Sequence, residues 1–338
     1  MDLCAANVLV TGGAGFIGSH LVEALVANRA RVTLIDNLSH GSLNNLAGCL
    51  RSVEFLEMDV LALQVQDLLA TQQFDVVFHL ASNAYVPPSV KDPTSDFRVN
   101  LLATFRLLET IRQRSPSTAL VYFSSAAVYG SPERIPINET APLAPISPYG
   151  VSKLAAERYV AVYSHLYGLK AASLRLFSVY GPRQTKQVVY DLIKKLHDHP
   201  RELRMHGDGS QIRDFCYVDD AVNAALITLA RGRLAGEVYN VASGTGCSMR
   251  DLARLICEVM GVTPRLIFSG HVRPGDAQQW VADLTQLRAI GYSPQVRLPE
   301  GIAGTYVWYK QSVSVRGEER VTRSGKIPVE ARSLLDES

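Results

Sequence analysis

The sequence predicts an α/β fold in which a parallel β-sheet is covered by helices on both faces. Short runs rich in Val, Ile and Leu recur along residues 7–177 without polar alternation, as in strands buried on both faces. Segments of helix length separate these runs, and parallel strands need such crossovers. The chain has 338 residues, of which 47% are hydrophobic, so it can bury a sizeable core.

Strand and helix patterns alternate through the first half of the chain. The predicted strands are residues 7–11, 31–35, 53–56, 76–81, 120–124 and 172–177. Helical periodicity separates several of them, and the predicted helices are residues 17–26, 60–70, 97–112 and 153–167. This order predicts one doubly wound sheet.

The pattern changes after Tyr180, where Gly181 and Pro182 interrupt it. Ser248, with Asp251 three residues later, is typical of a helix start. The elements predicted in this half are helices at residues 188–197, 219–230 and 249–259 and a strand at residues 238–241 that could rejoin the sheet.

We expect two interleaved domains and a tail. The sheet domain is predicted at residues 1–180, completed by about residues 233–262. A smaller α/β substrate domain is predicted at residues 181–232 and 263–310. Residues 311–338 are polar and low in aromatic side chains, so we expect a loosely held C-terminal tail.

Composition excludes several classes of function. The 34 Lys and Arg residues nearly balance 32 Asp and Glu, which gives no electrostatic case for binding nucleic acid or an anionic membrane. The five cysteines are scattered and form no Cys-x-x-Cys pair, which disfavours a disulfide scaffold and a zinc site. His197 and His199 have no nearby carboxylate pattern, so we expect no metal. Without a run of about 18 apolar residues, we expect a soluble, cytoplasmic protein.

The glycine-rich turn after the first predicted strand is a candidate phosphate site. Gly12, Gly15 and Gly18 follow a Gly-x-x-Gly-x-x-Gly spacing and lead into a predicted helix. Glycine permits a tight turn and close approach of backbone N–H groups to a pyrophosphate, and the helix N-terminus favours negative charge. The turn therefore indicates dinucleotide binding, although an ordinary strand-to-helix turn would have a similar pattern.

Asp36, at the end of the second predicted strand, indicates which dinucleotide is bound. A carboxylate there accepts hydrogen bonds from the adenosine ribose hydroxyls and repels a 2′-phosphate, so it favours NAD over NADP. A surface acid or a helix cap remains an alternative interpretation. Asp59 and Val60, after the next strand, are predicted to flank the adenine.

Tyr149 and Lys153 are candidates for acid–base chemistry. They are four residues apart and so lie on one face of a predicted helix. An ammonium beside a phenol would lower the pKa of Tyr149 toward neutrality and make it a usable acid or base. Ser124 and Ser125 end the fifth predicted strand, and a hydroxyl there could share the proton. A surface pair on a helix is the alternative.

Seven linked segments carry a resemblance to a known family. They are TGGAGFIGSHL (11–21), DNLSHGS (36–42), HLAS (79–82), SSAAVYG (124–130), SPYGVSK (147–153), RLFSVYGPRQ (175–184) and GDGSQIRDFCYVDD (207–220). With them the sequence resembles the extended short-chain dehydrogenase/reductase superfamily, and within it the nucleotide-sugar epimerase/dehydratase branch typified by UDP-glucose 4-epimerase. The resemblance implies a Rossmann domain holding NAD, a smaller domain holding a nucleotide diphosphate sugar, and a homodimer paired through residues 97–112 and 153–167.

The resemblance also implies roles for individual residues. The catalytic residues it implies are Ser125, Tyr149 and Lys153. The cofactor-binding residues it implies are Gly12, Gly15, Phe16, Ile17, Gly18, Asp36, Asn37, Asp59, Val60, Leu80, Ala81, Ser82, Asn100, Ser124, Tyr149 and Lys153. The substrate-binding residues it implies are Ser89, Ser125, Ser178, Gln187, Arg213, Arg273, Asp276 and Trp280.

Departures from the family pattern help to choose between reactions. By the same resemblance, Ala126 and Ala127 stand where nucleotide-sugar dehydratases carry acidic residues. Alanine cannot transfer a proton, so these two residues disfavour dehydration. Ser178 stands where many members of the family have Asn, which puts the usual contact with the diphosphate in question. Trp280 is large and favours a sugar without an N-acetyl group, although a Trp in the core or at an interface is the alternative interpretation. We therefore expect epimerisation at C4 through a transient 4-keto sugar.

Three alternatives to C4 epimerisation stay open, and a dehydratase is the one that Ala126 and Ala127 disfavour. A net C4 dehydrogenase or ketoreductase would use the same three catalytic residues. A non-catalytic NAD-binding regulator would need none of them, so their presence argues against it. The base and the sugar are not determined by the sequence.

Overall fold

The computed structural model describes residues 3–270 and 278–324, the last ten of these by their backbone alone. The strands are β1 (Asn7–Thr11), β2 (Arg31–Asp36), β3 (Glu54–Glu57), β4 (Val76–His79), β5 (Ala119–Ser125), β6 (Ala171–Leu176), β7 (Ser178–Tyr180), β8 (Glu202–Met205), β9 (Ile212–Tyr217), β10 (Ala235–Val241), β11 (Gly246–Ser248), β12 (Arg265–Phe268) and β13 (Gln279–Trp280). The helices are α1 (Phe16–Ala27), α2 (Leu63–Thr71), α3 (Val86–Lys91), α4 (Pro93–Asp96), α5 (Ala103–Arg114), α6 (Pro148–Tyr167), α7 (Val188–Asp198), α8 (Val218–Arg231), α9 (Met249–Met260), α10 (Thr285–Ala289) and α11 (Leu298–Ser324).

The main sheet is parallel and seven-stranded, in the order β10-β6-β5-β4-β1-β2-β3. Alternate side chains of β1 enter separate cores on its two faces. Val8 and Val10 pack on one side and Leu9 on the other, and all three are fully buried. A strand covered on both faces needs apolar residues at every position, so the uninterrupted apolar runs are explained and the predicted α/β fold is confirmed.

The predicted strands of the first half agree with the structure within a few residues. The largest difference is β4, which ends at His79 rather than continuing to residue 81. The Leu80 N–H still bonds to the Thr11 carbonyl, after which the chain leaves the sheet. The predicted helix at residues 97–112 begins with the π-helical segment Phe97–Leu102 and continues as α5.

A second lobe lies beyond the main sheet. In it β9 pairs with β7, β11 and β13, while β8 pairs with β12. A separate apolar core joins α7, α9 and α11. Isolated bridging between Ile137 and Ala282 ties this lobe to the loop that follows β5.

The predicted domain boundaries need two corrections. Helix α8, assigned to the substrate domain, packs on α1 and enters the core of the main sheet, because its buried face carries small residues such as Ala221 and Ala225 that allow close approach. Helix α9, assigned to the sheet domain, buries Leu252 and Ile256 in the second core instead. Strand β10 does complete the main sheet beside β6.

The C-terminal segment also differs from the prediction. Helix α11 continues to Ser324, so residues 311–324 are helical rather than a loose tail. Tyr309 is 3% exposed and Val313 packs against the second core, which fixes this part of the helix. Residues 325–338 lie outside the described residues. In the part of the chain that the structure describes, no helix combines the length and apolar character needed to cross a membrane.

Candidate active site

A cavity of about 990 Å³ lies at the carboxyl ends of the parallel strands, between the main sheet and the second lobe. Residues from the turn after β1, from the ends of β2 and β5, and from α6 line one part of it. Segments around β7, β9 and α11 line the other part. In open α/β sheets ligands bind at this edge, so the cavity is the candidate active site.

The glycine turn forms the floor of one end of this cavity. Gly12 has φ of +72°, and a Cβ on it would lie 2.8 Å from the Ala81 backbone nitrogen. A Cβ on Gly18 would lie 2.1 Å from the Gly12 carbonyl oxygen. None of the described side chains caps α1, whose first residues Phe16 and Ile17 line the cavity. Unpaired N–H groups beside a cradle without side chains fit a pyrophosphate.

Asp36 lies in the same end of the cavity and is 9% exposed. Its carboxylate accepts the Ala14 N–H at 3.0 Å and the Leu38 N–H at 2.8 Å. Burial raises the pKa of Asp36, while these two hydrogen bonds oppose the increase. Nearby, the Asn37 amide donates to Asp59 at 3.0 Å. This group of acceptors suits the hydroxyls of a ribose.

Most of the predicted cofactor residues meet in the cavity. Those that line it are Gly12, Gly15, Phe16, Ile17, Gly18, Asp36, Asn37, Asp59, Val60, Leu80, Ala81, Ser82, Ser124, Tyr149 and Lys153. Asn100 is the exception. It is 1% exposed, and its amide donates to Asp96 and to the Asn83 carbonyl, so it supports the wall from behind.

Helix α6 brings Tyr149 and Lys153 to the cavity. The helix begins after Ser147, whose hydroxyl accepts the Gly150 N–H at 3.1 Å. Lys153 is 3% exposed and donates from Nζ to the Phe123 carbonyl at 2.8 Å. Ser125, at the end of β5, lines the cavity with them, so the predicted trio is brought together.

Burial dominates the ionisation of this trio. It raises the pKa of Tyr149 to about 12, which the Ser125 hydroxyl partly offsets and the Asp96 charge reinforces. It also lowers the pKa of Lys153 to about 7, against the opposing effect of Asp96. The prediction that Lys153 lowers the pKa of Tyr149 toward neutrality is therefore wrong for the protein alone. The physical reason is that desolvation disfavours the phenolate and is the largest influence on this pKa.

A buried histidine braces the strand ends beneath this end of the cavity. His79 bonds through Nδ1 to the Thr11 hydroxyl at 2.7 Å and through Nε2 to the Thr104 hydroxyl at 3.0 Å. Burial lowers its pKa to about 3, so the ring is neutral at physiological pH. The same Thr11 hydroxyl accepts the Ala81 N–H, which holds the segment after β4 against β1.

Trp280 forms a wall at the other end of the cavity. Its Nε1 donates to the Gly130 carbonyl at 3.0 Å, and the Arg213 guanidinium lies 5.1 Å from the ring centroid. Ser178 and Gln187 line the cavity near them. The interpretation of Trp280 as a wall residue is therefore favoured over a residue confined to the core.

Three of the predicted substrate residues are not seen at the cavity. Ser89 is 2% exposed and is absent from the described lining; its hydroxyl donates to the Val86 carbonyl and accepts the Tyr149 N–H at 3.2 Å. It supports the start of α6 rather than facing a ligand. Arg273 and Asp276 lie outside the described residues.

The sequence interpretation missed several lining residues. Tyr85 lines the cavity with the Lys186 ammonium 4.9 Å from its ring centroid. Trp308 and Gln311 reach the cavity from α11. No sequence motif indicated Trp308 or Gln311, because their positions depend on how α11 packs against the second lobe. Within residues 3–270 and 278–324, no cluster of three or more His, Cys, Asp or Glu side chains could hold a metal ion.

Comparison with known proteins agrees with this geometry. The sequence model of the NAD dependent epimerase/dehydratase family matches residues 8–242. The chain belongs to this family. It is 34% identical over 309 residues to a putative UDP-glucose 4-epimerase of Methanocaldococcus jannaschii, covering 90% of this chain and 99% of the relative. It is 36% identical over 310 residues to a UDP-glucose 4-epimerase of Mycolicibacterium smegmatis, covering 90% and 98%.

A solved structure of a related protein has the same fold as this chain over nearly the whole length of both. The crystal structure of UDP-glucose 4-epimerase with UDP-glucose from Thermotoga maritima superposes with a TM-score of 0.85 at 33% identity. The match covers 91% of this chain and 99% of that structure. Both the sheet and the second lobe are therefore shared with the family.

Proposed function

We propose that the protein is an NAD-dependent epimerase that inverts C4 of a nucleotide diphosphate hexose through a transient 4-keto sugar. The observation that carries the proposal is the meeting of Ser125, Tyr149 and Lys153 in the cavity that the glycine turn and Asp36 also line. Redox chemistry at one carbon needs a cofactor site and one acid–base group side by side.

The first end of the cavity would hold NAD. The backbone around Gly12 and Gly15 and the N-terminus of α1 would bind the pyrophosphate, and Asp36 would accept from the ribose hydroxyls. When bound there, NAD would supply the chemistry of reversible hydride transfer at C4. Lys153 and Tyr149 would lie at the nicotinamide end, since the hydride acceptor and the acid–base group must reach the same carbon of the sugar.

The protein's own residues would handle the proton. A phenolate at Tyr149 takes the proton of the sugar 4-hydroxyl and gives it back when the ketone is reduced. The Ser125 hydroxyl lowers the pKa of Tyr149 and can hydrogen-bond the same sugar oxygen. Lys153 lies one helical turn away and favours the phenolate when charged. Ala127 lines the cavity beside them and cannot transfer a proton, so water is not eliminated.

The second end of the cavity would hold the nucleotide sugar. Arg213 offers a guanidinium for the diphosphate, since a planar fork of donors matches phosphate oxygens. Trp280 would stand beside the sugar, and Ser178 and Gln187 would contact the diphosphate side. Arg273 and Asp276 complete the proposed set.

A substrate panel tests the proposal. Purified protein is incubated with UDP-, GDP-, dTDP- and CDP-hexoses, products are followed by NMR, and nicotinamide absorbance is recorded in parallel. A C4 epimer with no net NADH is the expected result. Stoichiometric NADH or a stable 4-ketone would instead identify a net C4 oxidoreductase. No turnover with NAD bound would identify a regulator.

Replacement of the phenol tests the role of Tyr149. Tyr149→Phe is expected to reduce turnover by at least about a thousandfold, since acid–base catalysis contributes on this scale, and to retain NAD. Tyr159→Phe, an exposed tyrosine on the same helix, is the matched control and should keep full turnover. Undiminished turnover of Tyr149→Phe would contradict the acid–base role.

We also propose a cytoplasmic homodimer paired through α5 and α6. The outer face of α6 exposes several large apolar side chains, namely Val151, Tyr159, Val162, Leu166 and Tyr167. The buried thiols of Cys49, Cys216 and Cys257 suit a reducing compartment. Light scattering should give a dimer mass, and Val162→Glu should give a monomer; a monomeric wild-type protein would contradict the assembly.

A further inference from the structure

A third polar residue continues the stripe of Tyr149 and Lys153 along α6. Glu157 is one turn beyond Lys153 on the same helix face and is 1% exposed. It is not among the described residues that line the cavity, so it is not placed to touch a ligand. A buried carboxylate is costly unless it is paired, and its partners therefore indicate what it holds in place.

The Glu157 carboxylate connects α6 to two neighbouring strands. Its Oε1 accepts Arg175 Nη2 at 2.6 Å, and its Oε2 accepts Arg175 Nε at 3.0 Å and Ser124 Oγ at 2.8 Å. Ser124 on β5 and Arg175 on β6 are register partners. Rotation or sliding of α6 against the sheet would break this two-pronged contact, so the carboxylate fixes the helix relative to both strand ends.

Arg175 extends the same network toward the substrate wall. Its Nη1 donates to the Tyr129 hydroxyl at 2.7 Å, which in turn donates to Asn240 Oδ1 at 2.7 Å. Tyr129 directly precedes Gly130, whose carbonyl accepts the Trp280 indole N–H. The network thus connects the helix carrying Tyr149, the strand end carrying Ser125 and the segment that anchors Trp280.

We infer that Glu157 is a positioning residue that holds Tyr149 and Ser125 at their working separation through its contacts with Ser124 and Arg175. Ser125 follows Ser124 directly on β5, while Tyr149 lies two turns before Glu157 on α6, so one carboxylate sets the geometry of both. The inference rests on the proposed function for its kinetic test.

Glu157→Gln is the first test. It keeps the side-chain shape but removes the negative charge to which Arg175 and Ser124 donate hydrogen bonds. We expect kcat to fall about 30-fold with KM and NAD content within about twofold of wild type, since misalignment slows the chemical step. Glu300→Gln, which breaks an exposed ion pair with Arg297, is the matched control and should leave kcat unchanged.

A double variant separates positioning from stability. Loss of one partner of a buried pair should lower the melting temperature of Glu157→Gln by about 10 °C. Glu157→Met with Arg175→Met replaces the pair by apolar groups and should restore the melting temperature, because buried pairs are often replaceable in this way. We expect kcat to stay low and the isotope effect with a C4-deuterated sugar to rise. Recovery of kcat together with the melting temperature would overturn the inference.

A structural measurement keeps the inference testable even if the proposed function fails. If the wild-type protein turns over no sugar of the panel, the epimerase proposal is wrong, whereas the positioning role still predicts a change in geometry. A crystal structure of the double variant should show a longer separation between Tyr149 Oη and Ser125 Oγ than the wild-type crystal structure. An unchanged separation would overturn the positioning role.

Discussion

The two ends of the cavity are built in different ways. The end with the glycine turn uses backbone from Gly12 to Gly18 and one carboxylate, Asp36, all within the first β-α-β unit. The end with Trp280 uses side chains from segments far apart in the chain, including Ser178, Arg213 and Trp308. The first end recognises groups common to many dinucleotides, whereas the second depends on how distant segments are packed.

This difference separates what is general in the family from what is particular to the chain. Backbone N–H groups at a helix N-terminus bind any pyrophosphate, so that end tolerates little change. Walls made of side chains can be altered one residue at a time, which is how one fold serves many substrates. Tyr149 and Lys153 on α6 line the cavity where the two ends meet, whereas Glu157 lies behind them on the same helix.

The largest effect is expected from a methyl group in the glycine turn. A Cβ on Gly18 would lie 2.1 Å from the Gly12 carbonyl oxygen, a clash with backbone that no rotamer can relieve. Gly18→Ala should lose bound NAD entirely and lower the melting temperature, as measured by absorbance and calorimetry. Gly48→Ala, whose Cβ would lie 3.6 Å from Glu23 Oε1, should change neither. Full NAD content in Gly18→Ala would contradict the assignment of the pyrophosphate to this turn.

Asp36 provides the next largest effect, on the choice of cofactor. Asp36→Asn removes the negative charge that repels a 2′-phosphate, so the preference for NAD over NADP should fall by about 10- to 100-fold. Calorimetric titration of the cofactor-free protein with both dinucleotides measures this ratio. Asp67→Asn, an exposed carboxylate of α2 outside the cavity lining, serves as the control and should leave the ratio unchanged. An unaltered ratio in Asp36→Asn would contradict the assignment of the carboxylate to the ribose.

Lys153, where the two ends meet, gives the protein a pH-dependent stability. Burial lowers the pKa of Lys153 to about 7 from the ordinary value of 10.5. Between these values the unfolded chain binds more protons, so the free energy of unfolding rises with pH by at most about 1.4 kcal/mol per pH unit. Lys153→Met should remove this slope between about pH 7 and 10.

Urea unfolding of the cofactor-free protein across this range measures the slope. The raised pKa of Tyr149 enters only above about pH 10, where it lowers stability as pH increases toward 12. Burial also raises the pKa of thiols such as Cys216, which opposes the slope below pH 10. These thiols are the same in Lys153→Met, so the difference in slope between the two proteins isolates Lys153. Equal slopes for the wild-type protein and Lys153→Met would show that folding does not lower the pKa of Lys153.

The smallest effect is expected at the side-chain wall. Trp280→Ala opens space beside the proposed sugar position, so kcat/KM for an N-acetylhexosamine substrate relative to its hexose should rise by about tenfold. Trp308→Ala, which opens the same end of the cavity from α11 rather than from β13, should not change this ratio. Competition assays with both sugars in one reaction measure it. An equal change of this kcat/KM ratio in both variants would show that Trp280 is not the residue that limits the space beside the sugar.

Local patterns were sufficient to predict the main sheet and the first end of the cavity. The apolar runs, the glycine spacing and Asp36 each carry their information within a few neighbouring residues, and the structure places them together. The predictions that failed depend on distant contacts. Examples are Ser89, which supports Tyr149 from behind, and α11, which continues beyond residue 311 because the second lobe gives it a surface on which to pack.

The sequence by itself determined the fold class and the family, and its linked motifs predicted the trio of Ser125, Tyr149 and Lys153. These depend on hydrophobic period, on residue spacing along one strand or helix, and on backbone conformations that glycine allows. The tertiary structure decided the pKa shifts of Tyr149 and Lys153, the place of Trp280 in the cavity wall and the partners of Glu157. Burial and partners across three elements set these properties, because desolvation and hydrogen bonding depend on which distant groups pack together.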